Sequence, residues 1–143
     1  MAQIKLTYQG TNTLILQKGD CRLLIDPHYS RLSLLELMSK IHPNRQKIAD
    51  GLEAGGIDHL DGVLLTHTHY DHALDAPEVI HQIGGRLYGS QSTANIAIGG
   101  GLKHEQFCVA SPGVNYPIGG LQVSFHPARH ISFPPPLKWL LPE

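Results

Sequence analysis

Cysteine, charge and long apolar runs are all scarce in this chain of 143 residues. The two cysteines, Cys21 and Cys108, form no CxxC pair, so we expect buried free thiols, with a single disulfide as the alternative. The net charge of -1 provides no basic surface for nucleic acid or an anionic membrane. No stretch approaches the roughly 20 apolar residues of a membrane span, and the N-terminus lacks the apolar run of a signal peptide. These absences predict a soluble cytoplasmic protein.

Histidine, by contrast, is abundant, with ten residues in the chain. Histidine is the commonest metal ligand in proteins, so the excess directs attention to metal binding. Hydrophobic residues make up 41% of the chain, which is enough to fill one core, and the length predicts a single domain over residues 1–143. Charged residues make up only 16%, which hints at buried interface area because the usual share is about 25%.

Apolar residues alternate with polar ones early in the chain and form short continuous runs later, and both patterns indicate strands. The predicted strands are Ile4–Tyr8, Thr13–Gln17, Arg22–Ile25, Asp61–Thr66, Leu87–Tyr88, Phe107–Ala110, Val114–Ile118 and Leu121–His126. Apolar residues at helical spacing predict helices from Ser30 to Pro43, from Asn44 to about Ala54, from Asp75 to Ile83 and from Gln91 to about Ile98. This order predicts an α/β (α+β) fold that begins with an antiparallel meander. The first helix is expected to be a core or interface helix, with an apolar lid as the alternative.

Residues 67–72, with the sequence HTHYDH, directly follow a predicted strand and precede a predicted helix. His67 and His69 are two positions apart, so in an extended segment their imidazoles point to the same side and can bind one cation. Asp71 and His72 begin the helical turn and can hold a second cation close by. Imidazole combined with carboxylate suits Zn²⁺, one ion or two, with manganese and iron as alternatives.

This motif resembles the signature of the metallo-β-lactamase superfamily, as does Asp26-Pro27 at the end of an early strand. The likeness extends from about Ile4 to about Phe133. The segment 127–130, with the sequence PARH, is similar to one in phosphodiesterase- and lactonase-like members. The resemblance implies a four-layer αββα sandwich and a metal-dependent hydrolase that acts on an ester-like bond of a small molecule.

The resemblance also implies roles for individual residues. His67, His69 and His130 would bind the first metal, while Asp71 and His72 would bind part of the second. Asp71 would be catalytic, since it could orient the attacking water and pass a proton to the leaving group.

Three further positions carry expectations. Asp26 would accept a hydrogen bond from a ligand imidazole and fix its tautomer. His126, at the end of a predicted strand, is the alternative to His130 as the third histidine. His28 could line the mouth of the pocket, and the other histidines are expected to be solvated.

The sequence departs from the superfamily pattern after His130, where the remaining 13 residues contain neither aspartate nor histidine. The second metal site is therefore incomplete, and we expect only the N-terminal portion of the sandwich, in one domain that is incomplete at its C-terminus. A fragment, a natural truncation and one subunit of a split enzyme are the competing explanations. A half sandwich would leave a sheet face exposed, so we expect a homodimer or a partner chain to cover it.

The alternative function is a non-catalytic metal-binding module. A nuclease of the same superfamily is disfavoured because no basic stripe is present.

Overall fold

Six strands form one mixed sheet in the computed structural model, which describes residues 3–38 and 40–128 of the chain. The first three strands pair antiparallel, and the next three join them in parallel. In their order across the sheet they are β1 (Ile4–Tyr8), β2 (Leu14–Lys18), β3 (Cys21–Ile25), β4 (Gly62–Leu64), β5 (Leu87–Gly89) and β6 (Phe107–Val109). The predicted α/β fold with an early antiparallel meander is confirmed.

Helices fill the connections between the parallel strands, because parallel neighbours need a crossover. They are α1 (Leu34–Leu37), α2 (Arg45–Ala54), α3 (Tyr70–Ala73), α4 (Ala76–Ile83) and α5 (Gln91–Gly99). The predicted cap of α2 is present, since the Asn44 side chain accepts a hydrogen bond from the Lys47 N–H at 3.1 Å. Within residues 3–38 and 40–128, no helix is long and apolar enough to cross a membrane.

One face of the sheet is covered by helices α2, α4 and α5, and this layer forms the main core. Leu24, Val63 and Leu87 stand on this face and are fully buried. The helices contribute Ile48, Leu52, Val79, Ile80, Ala94 and Ala97 to the same cluster. This core holds β3, β4 and β5 rigidly, so the loops that leave their carboxyl ends start from fixed points.

Among residues 3–38 and 40–128, a hairpin of β7 (Asn115–Ile118) and β8 (Leu121–Ser124) covers part of the opposite face. Ile118 packs there against Leu23 and Leu64. Directly paired residues share a face, and Leu6 pairs with Leu16, which pairs with Leu23. The same face therefore continues onto β1, where three apolar side chains are more than half exposed: Ile4 (55%), Leu6 (60%) and Tyr8 (66%).

The predicted helix from Ser30 to Pro43 is the main error of the sequence analysis. Among the described residues of this range, the four of α1 are helical, and Leu35 and Met38 are 81% and 86% exposed. The predicted length of the helix and its place in the core are therefore wrong, because helical spacing of apolar residues sustains a long helix only where a surface receives them. The interface and lid interpretations of this segment stay predictions. His130 and the C-terminal residues from 129 onward lie outside the described part of the chain.

Candidate metal centre

The motif lies in a loop at the carboxyl end of the central strand β4. We call residues 66–75 the histidine loop; it contains α3, whose N-cap is His69, and it ends at Asp75 just before α4. A loop at the carboxyl ends of parallel strands is the usual place for a binding site in an α/β fold. The predicted location of the motif at a strand-to-helix junction is confirmed.

Three imidazoles of the loop lie against one another. The ring of His67 is 4.7 Å from that of His69 and 3.9 Å from that of His72, measured between centroids. The ring of His67 thus lies next to both of the others, and His72 approaches it more closely than His69 does. The motif gathers its histidines in one place, although the expected split into two diverging pairs is less sharp than the spacing suggested.

Asp26, at the end of β3, reaches the same loop from the neighbouring strand. Its Oδ2 atom lies 2.9 Å from Nδ1 of His72, and its carboxylate also accepts hydrogen bonds from the Thr66 N–H at 2.8 Å and the Thr66 hydroxyl at 2.6 Å. The Asp26 residue is only 4% exposed. A carboxylate in this position holds the proton of His72 on Nδ1 and leaves the lone pair on Nε2.

The Thr66 hydroxyl extends this control to His67. Because that hydroxyl donates to Asp26, its oxygen is left to accept, and Nδ1 of His67 lies 3.2 Å away. A proton on Nδ1 of His67 satisfies this contact and leaves Nε2 of His67 as its unprotonated nitrogen. Asp26 therefore favours the same tautomer in two imidazoles, in one directly and in the other through Thr66.

The Asp26 backbone is strained, with φ at 47° immediately before a proline. A non-glycine residue rarely adopts this conformation, and it persists where neighbouring contacts hold it. The Asp26 N–H donates to the Leu64 carbonyl at 3.0 Å, and its own carbonyl accepts from the Thr13 hydroxyl at 3.2 Å. These contacts hold the chain in the conformation that turns the carboxylate towards the histidine loop.

Asp71 and His72 meet at a residue that the sequence analysis missed. Oδ2 of Asp71 lies 3.6 Å from Nε2 of His72. The side-chain nitrogen of Asn12 lies 3.1 Å from that Oδ2 atom and 2.9 Å from that Nε2 atom. Asn12 belongs to the turn between β1 and β2, 59 residues before Asp71, and nothing in its sequence surroundings signals the contact.

The other end of the histidine loop is fixed by Asp75, which was predicted only as the start of a helix. Its carboxylate is fully buried and accepts from the backbone N–H groups of Tyr29 at 2.6 Å and Ser30 at 2.8 Å, and from the Ser30 hydroxyl. We call residues 26–30 the DPHYS segment. Its first residue is bonded to the first residue of the histidine loop, and its last residue is bonded to the last.

His28 lies between these two anchors and is buried. It is 5% exposed, and among the described residues its Nδ1 atom has no hydrogen-bond partner. Its ring lies 6.1 Å from that of Tyr70, edge to face. Burial lowers the pKa of His28 below its ordinary value of 6.5, while Asp75 and Asp71 act in the opposite direction. His28 is thus packed inside the DPHYS segment, and the expectation that it lines an open pocket mouth finds no support.

The remaining histidines lie outside the histidine loop, and those in the described part of the chain are exposed, as expected. His42, His59, His81 and His104 are exposed. His126 is exposed as well, and its Nε2 atom lies 3.1 Å from the Ser124 hydroxyl. His130 is outside the described residues, so the choice between His126 and His130 stays a prediction.

The donor set fits a divalent cation in its chemistry, although the described residues do not complete a site. Imidazole nitrogens held in the ligand tautomer and a nearby carboxylate are typical zinc, iron or manganese ligands. Oδ2 of Asp71 and Nε2 of His72 are 3.6 Å apart, close to the about 3.4 Å expected for two tetrahedral ligands. Within residues 3–38 and 40–128, however, no three His, Cys, Asp or Glu side chains are arranged to hold an ion by themselves.

Comparison with known proteins gives a consistent family. A family model described as the metallo-beta-lactamase superfamily matches residues 6–142. A UPF0173 metal-dependent hydrolase of Mesorhizobium japonicum is 30% identical over 129 residues, which are 90% of this chain and 49% of that protein. A lactamase-like protein, adaB, of Aspergillus niger is 37% identical over 87 residues, which are 59% of this chain and 24% of that protein. The chain thus spans about half or less of the length of these relatives.

Solved structures show the same fold. A metallo hydrolase of the archaeon Ignicoccus hospitalis superposes with a TM-score of 0.61 at 22% identity, covering 91% of this chain and 51% of that one. The metallo-beta-lactamase SMB-1, in complex with mercaptoacetic acid, superposes with a TM-score of 0.61 at 17% identity, covering 85% and 49%. At these identities the likeness concerns the fold alone.

Proposed function

Because this chain belongs to the metallo-beta-lactamase superfamily, whose model matches residues 6–142, we propose that it is a metal-dependent hydrolase acting on an ester-like bond of a small molecule. The relatives that it resembles include proteins named metal-dependent hydrolases. Since the chain spans about half or less of their length, the activity of the whole protein is part of the proposal.

The observation that carries the proposal is the contact between Asp26 and His72. The buried Asp26 carboxylate lies 2.9 Å from Nδ1 of His72 on a strained backbone, and anchoring Thr66 alone does not require this second contact. It does serve a ligand imidazole, whose other nitrogen must carry a lone pair. This arrangement supports the metal-binding interpretation of the whole motif.

The proposed ligands form two groups. His67 and His69, with His130, hold one cation, and Asp71 and His72 belong to a second. Zn²⁺ is the ion that we expect, with manganese and iron as alternatives. The chemistry supplied by such an ion is a bound water with a pKa of about 7 and a positive charge beside the developing oxyanion.

Asp71 is the proposed catalytic residue of the chain. Its side chain is 35% exposed, so a substrate can reach it from the solvent. From there its carboxylate can orient the attacking water, accept the proton of that water, and deliver it to the leaving group.

We propose a phosphodiester or a lactone as the substrate class. In both, attack of water on an electrophilic carbon or phosphorus would build negative charge on an attached oxygen, which a cation held by the histidines would stabilise. The two are separated by assaying bis(p-nitrophenyl) phosphate and a simple lactone side by side with the metal-loaded chain. Turnover of either supports a hydrolase, and the ratio of kcat/KM assigns the class.

The ligand assignment is tested by the double variant His67→Ala/His69→Ala. We expect it to lose bound metal and turnover together, because two of the three proposed ligands of the first ion are removed. The matched control is His42→Ala/His104→Ala, which removes two exposed histidines outside the loop. Stoichiometric metal retained in the His67/His69 variant contradicts the assignment.

A second candidate function is a metal-binding module without catalysis. It is favoured by one observation: the described residues contain no complete set of three His, Cys, Asp or Glu ligands. One ion per chain with no turnover of either substrate would establish the module in place of the enzyme.

We further propose that a second copy of the chain covers the open sheet face on β1. The argument is the row of exposed apolar side chains at Ile4, Leu6 and Tyr8, which continues the face packed under the β7–β8 hairpin. Residues 1–143 would then be one domain that is completed by its partner. Light scattering is expected to give the mass of a dimer, and a monomeric mass contradicts this part of the proposal.

A further inference from the structure

The Asn12 side chain occupies the junction of the second proposed pair of ligands. Its Nδ2 atom contacts Oδ2 and the backbone carbonyl of Asp71 as well as Nε2 of His72. We propose that Asn12 is itself a ligand of the second cation, through its amide oxygen. This inference rests on the proposed function, since it adds a third protein ligand to that metal centre.

The separations of the three atoms suit one ion. The amide end of Asn12 is 2.9 Å from Nε2 of His72 and 3.1 Å from Oδ2 of Asp71, and those two atoms are 3.6 Å apart. A circle through three points with these separations has a radius of about 1.9 Å, shorter than the about 2.0–2.2 Å between zinc and its nitrogen or oxygen ligands. A point just off the plane of the three atoms therefore lies at bonding distance from all of them.

The Asn12 amide can present either its nitrogen or its oxygen to Asp71 and His72. An amide presents its oxygen and nitrogen at nearly the same positions after half a turn about its last side-chain bond. Without a metal, the nitrogen donates to the lone pairs of His72 and Asp71. With a cation, those lone pairs turn to the ion, and the oxygen of Asn12 becomes the group with an electron pair to offer. An amide carbonyl is an established ligand type for hard and borderline cations.

The backbone holds Asn12 in this place. Gly10 and Thr11 before it have φ values of 91° and 54°, and the Thr13 N–H closes the turn on the Gly10 carbonyl at 3.1 Å. Thr13 is buried, and its hydroxyl donates to the Asp26 carbonyl and accepts from the His28 N–H. The turn is therefore joined to the DPHYS segment, which also positions His72.

The shortage of other ligands points the same way. Nδ1 of His72 is occupied by Asp26, so this residue offers one nitrogen. Within residues 3–38 and 40–128 no third His, Cys, Asp or Glu completes a set with Asp71 and His72. Among the described residues, the side chain that does reach both donor atoms is Asn12, a residue type outside that group.

The test compares Asn12→Ala and Asn12→Asp in the full chain, with Asn115→Ala as the matched control because Asn115 is exposed on β7. Zn²⁺ and Mn²⁺ uptake by chelator-treated protein is measured by equilibrium dialysis and titration calorimetry, with circular dichroism to check folding. We expect two ions per chain for the unsubstituted protein and for the control. Asn12→Ala should lower the affinity for the second ion by about tenfold or more. Asn12→Asp keeps an oxygen in place and should bind that ion at least as tightly as the unsubstituted chain.

The direction of the Asn12→Asp effect separates a ligand from a hydrogen-bond donor. A loss of the second ion in Asn12→Asp as large as in Asn12→Ala overturns the inference, because a carboxylate oxygen in that place binds a cation at least as well as an amide oxygen does. A second ion bound by Asn12→Ala within twofold of the unsubstituted chain also overturns it. The proposed function is tested separately. If the unsubstituted chain binds an ion that His67→Ala/His69→Ala loses, the proposed function stands even when the Asn12 inference fails. If the unsubstituted chain takes up no divalent cation, the proposed function and the Asn12 inference are both refuted.

Discussion

The two ends of the histidine loop are anchored by buried aspartates that differ in what they face. Asp26 is bonded to Thr66 at the start of the loop and also touches His72. The Asp75 carboxylate, at the end of the loop, accepts from the backbone N–H groups of Tyr29 and Ser30 and from the Ser30 hydroxyl. One carboxylate thus anchors the loop and also bonds directly to an imidazole, whereas the hydrogen bonds of the other to described residues all anchor backbone and hydroxyl groups. Equal burial of equal side chains does not indicate equal roles.

The two anchors together join the histidine loop to the DPHYS segment at both ends. Strands β3 and β4 are parallel neighbours, so both segments leave the same edge of the sheet and run side by side. This pairing fixes the loop without regular secondary structure. The comparison predicts that substitutions at Asp75 affect mainly stability, and substitutions at Asp26 mainly metal affinity.

The largest effect on stability is expected for Asp75→Ala. It removes three hydrogen bonds and leaves two buried backbone N–H groups without a partner, so the free energy of unfolding should fall by about 3 kcal/mol or more. Urea unfolding in the presence of a chelator measures the change. Asp50→Ala, at an exposed position on α2, is the control and should cost less than about 0.5 kcal/mol. A loss below about 1 kcal/mol for Asp75→Ala would show that the second anchor is unimportant.

Asp26→Asn tests the other anchor, where we expect the main effect to be on metal affinity. The amide keeps an oxygen for the Thr66 N–H, but its nitrogen cannot accept the proton of His72 Nδ1. We expect metal affinity to fall by about 10- to 100-fold, with a stability loss of about 1–2 kcal/mol in chelator. Calorimetric titration with Zn²⁺ measures the affinity. Unchanged affinity with a large stability loss would make Asp26 an anchor of the same kind as Asp75.

His28, which lies between Asp26 and Asp75, should make the unfolding free energy depend on pH. Its pKa is lowered in the folded chain by burial, so the unfolded chain binds more protons in the window below the ordinary value of 6.5. Stability should therefore rise with pH across that window and be lost as the pH falls through it. In chelator, the unfolding free energy of the unsubstituted chain should drop more between about pH 7 and about pH 5 than that of His28→Leu. Equal drops in the two proteins would exclude His28 as the source.

The smallest effect on stability is expected for a residue outside the DPHYS segment and the histidine loop. Leu35 lies on α1, just after the DPHYS segment, and is 81% exposed. Leu35→Ser should change the unfolding free energy by no more than about 0.5 kcal/mol, because little apolar area returns to water. A loss above about 1.5 kcal/mol that grows with protein concentration would indicate that the residue packs against a partner copy.

Local patterns predicted much of the fold. Alternation and turn residues located β1 to within a residue, and Asn44 was recognised as the cap of α2 because the cap contact spans three residues. The same reasoning failed from Ser30 to Pro43, since the spacing of apolar residues says nothing about whether a surface is available to bury them. The family resemblance implied that Asp26 bonds to one of the ligand imidazoles without saying which; in the structure its carboxylate lies 2.9 Å from Nδ1 of His72, and the role of His72 as a metal ligand stays a prediction.

The sequence by itself determined the chemistry: the clustered imidazoles and carboxylate of residues 67–72 and their place between a strand and a helix depend only on neighbours along the chain. The tertiary structure decided which groups surround them. Asn12 and Asp75 reach their partners across 60 and 45 residues, respectively, because the strands carry distant segments to one edge of the sheet. Contacts of that kind follow from the packing of the sheet and leave no periodic signal in the residues that make them.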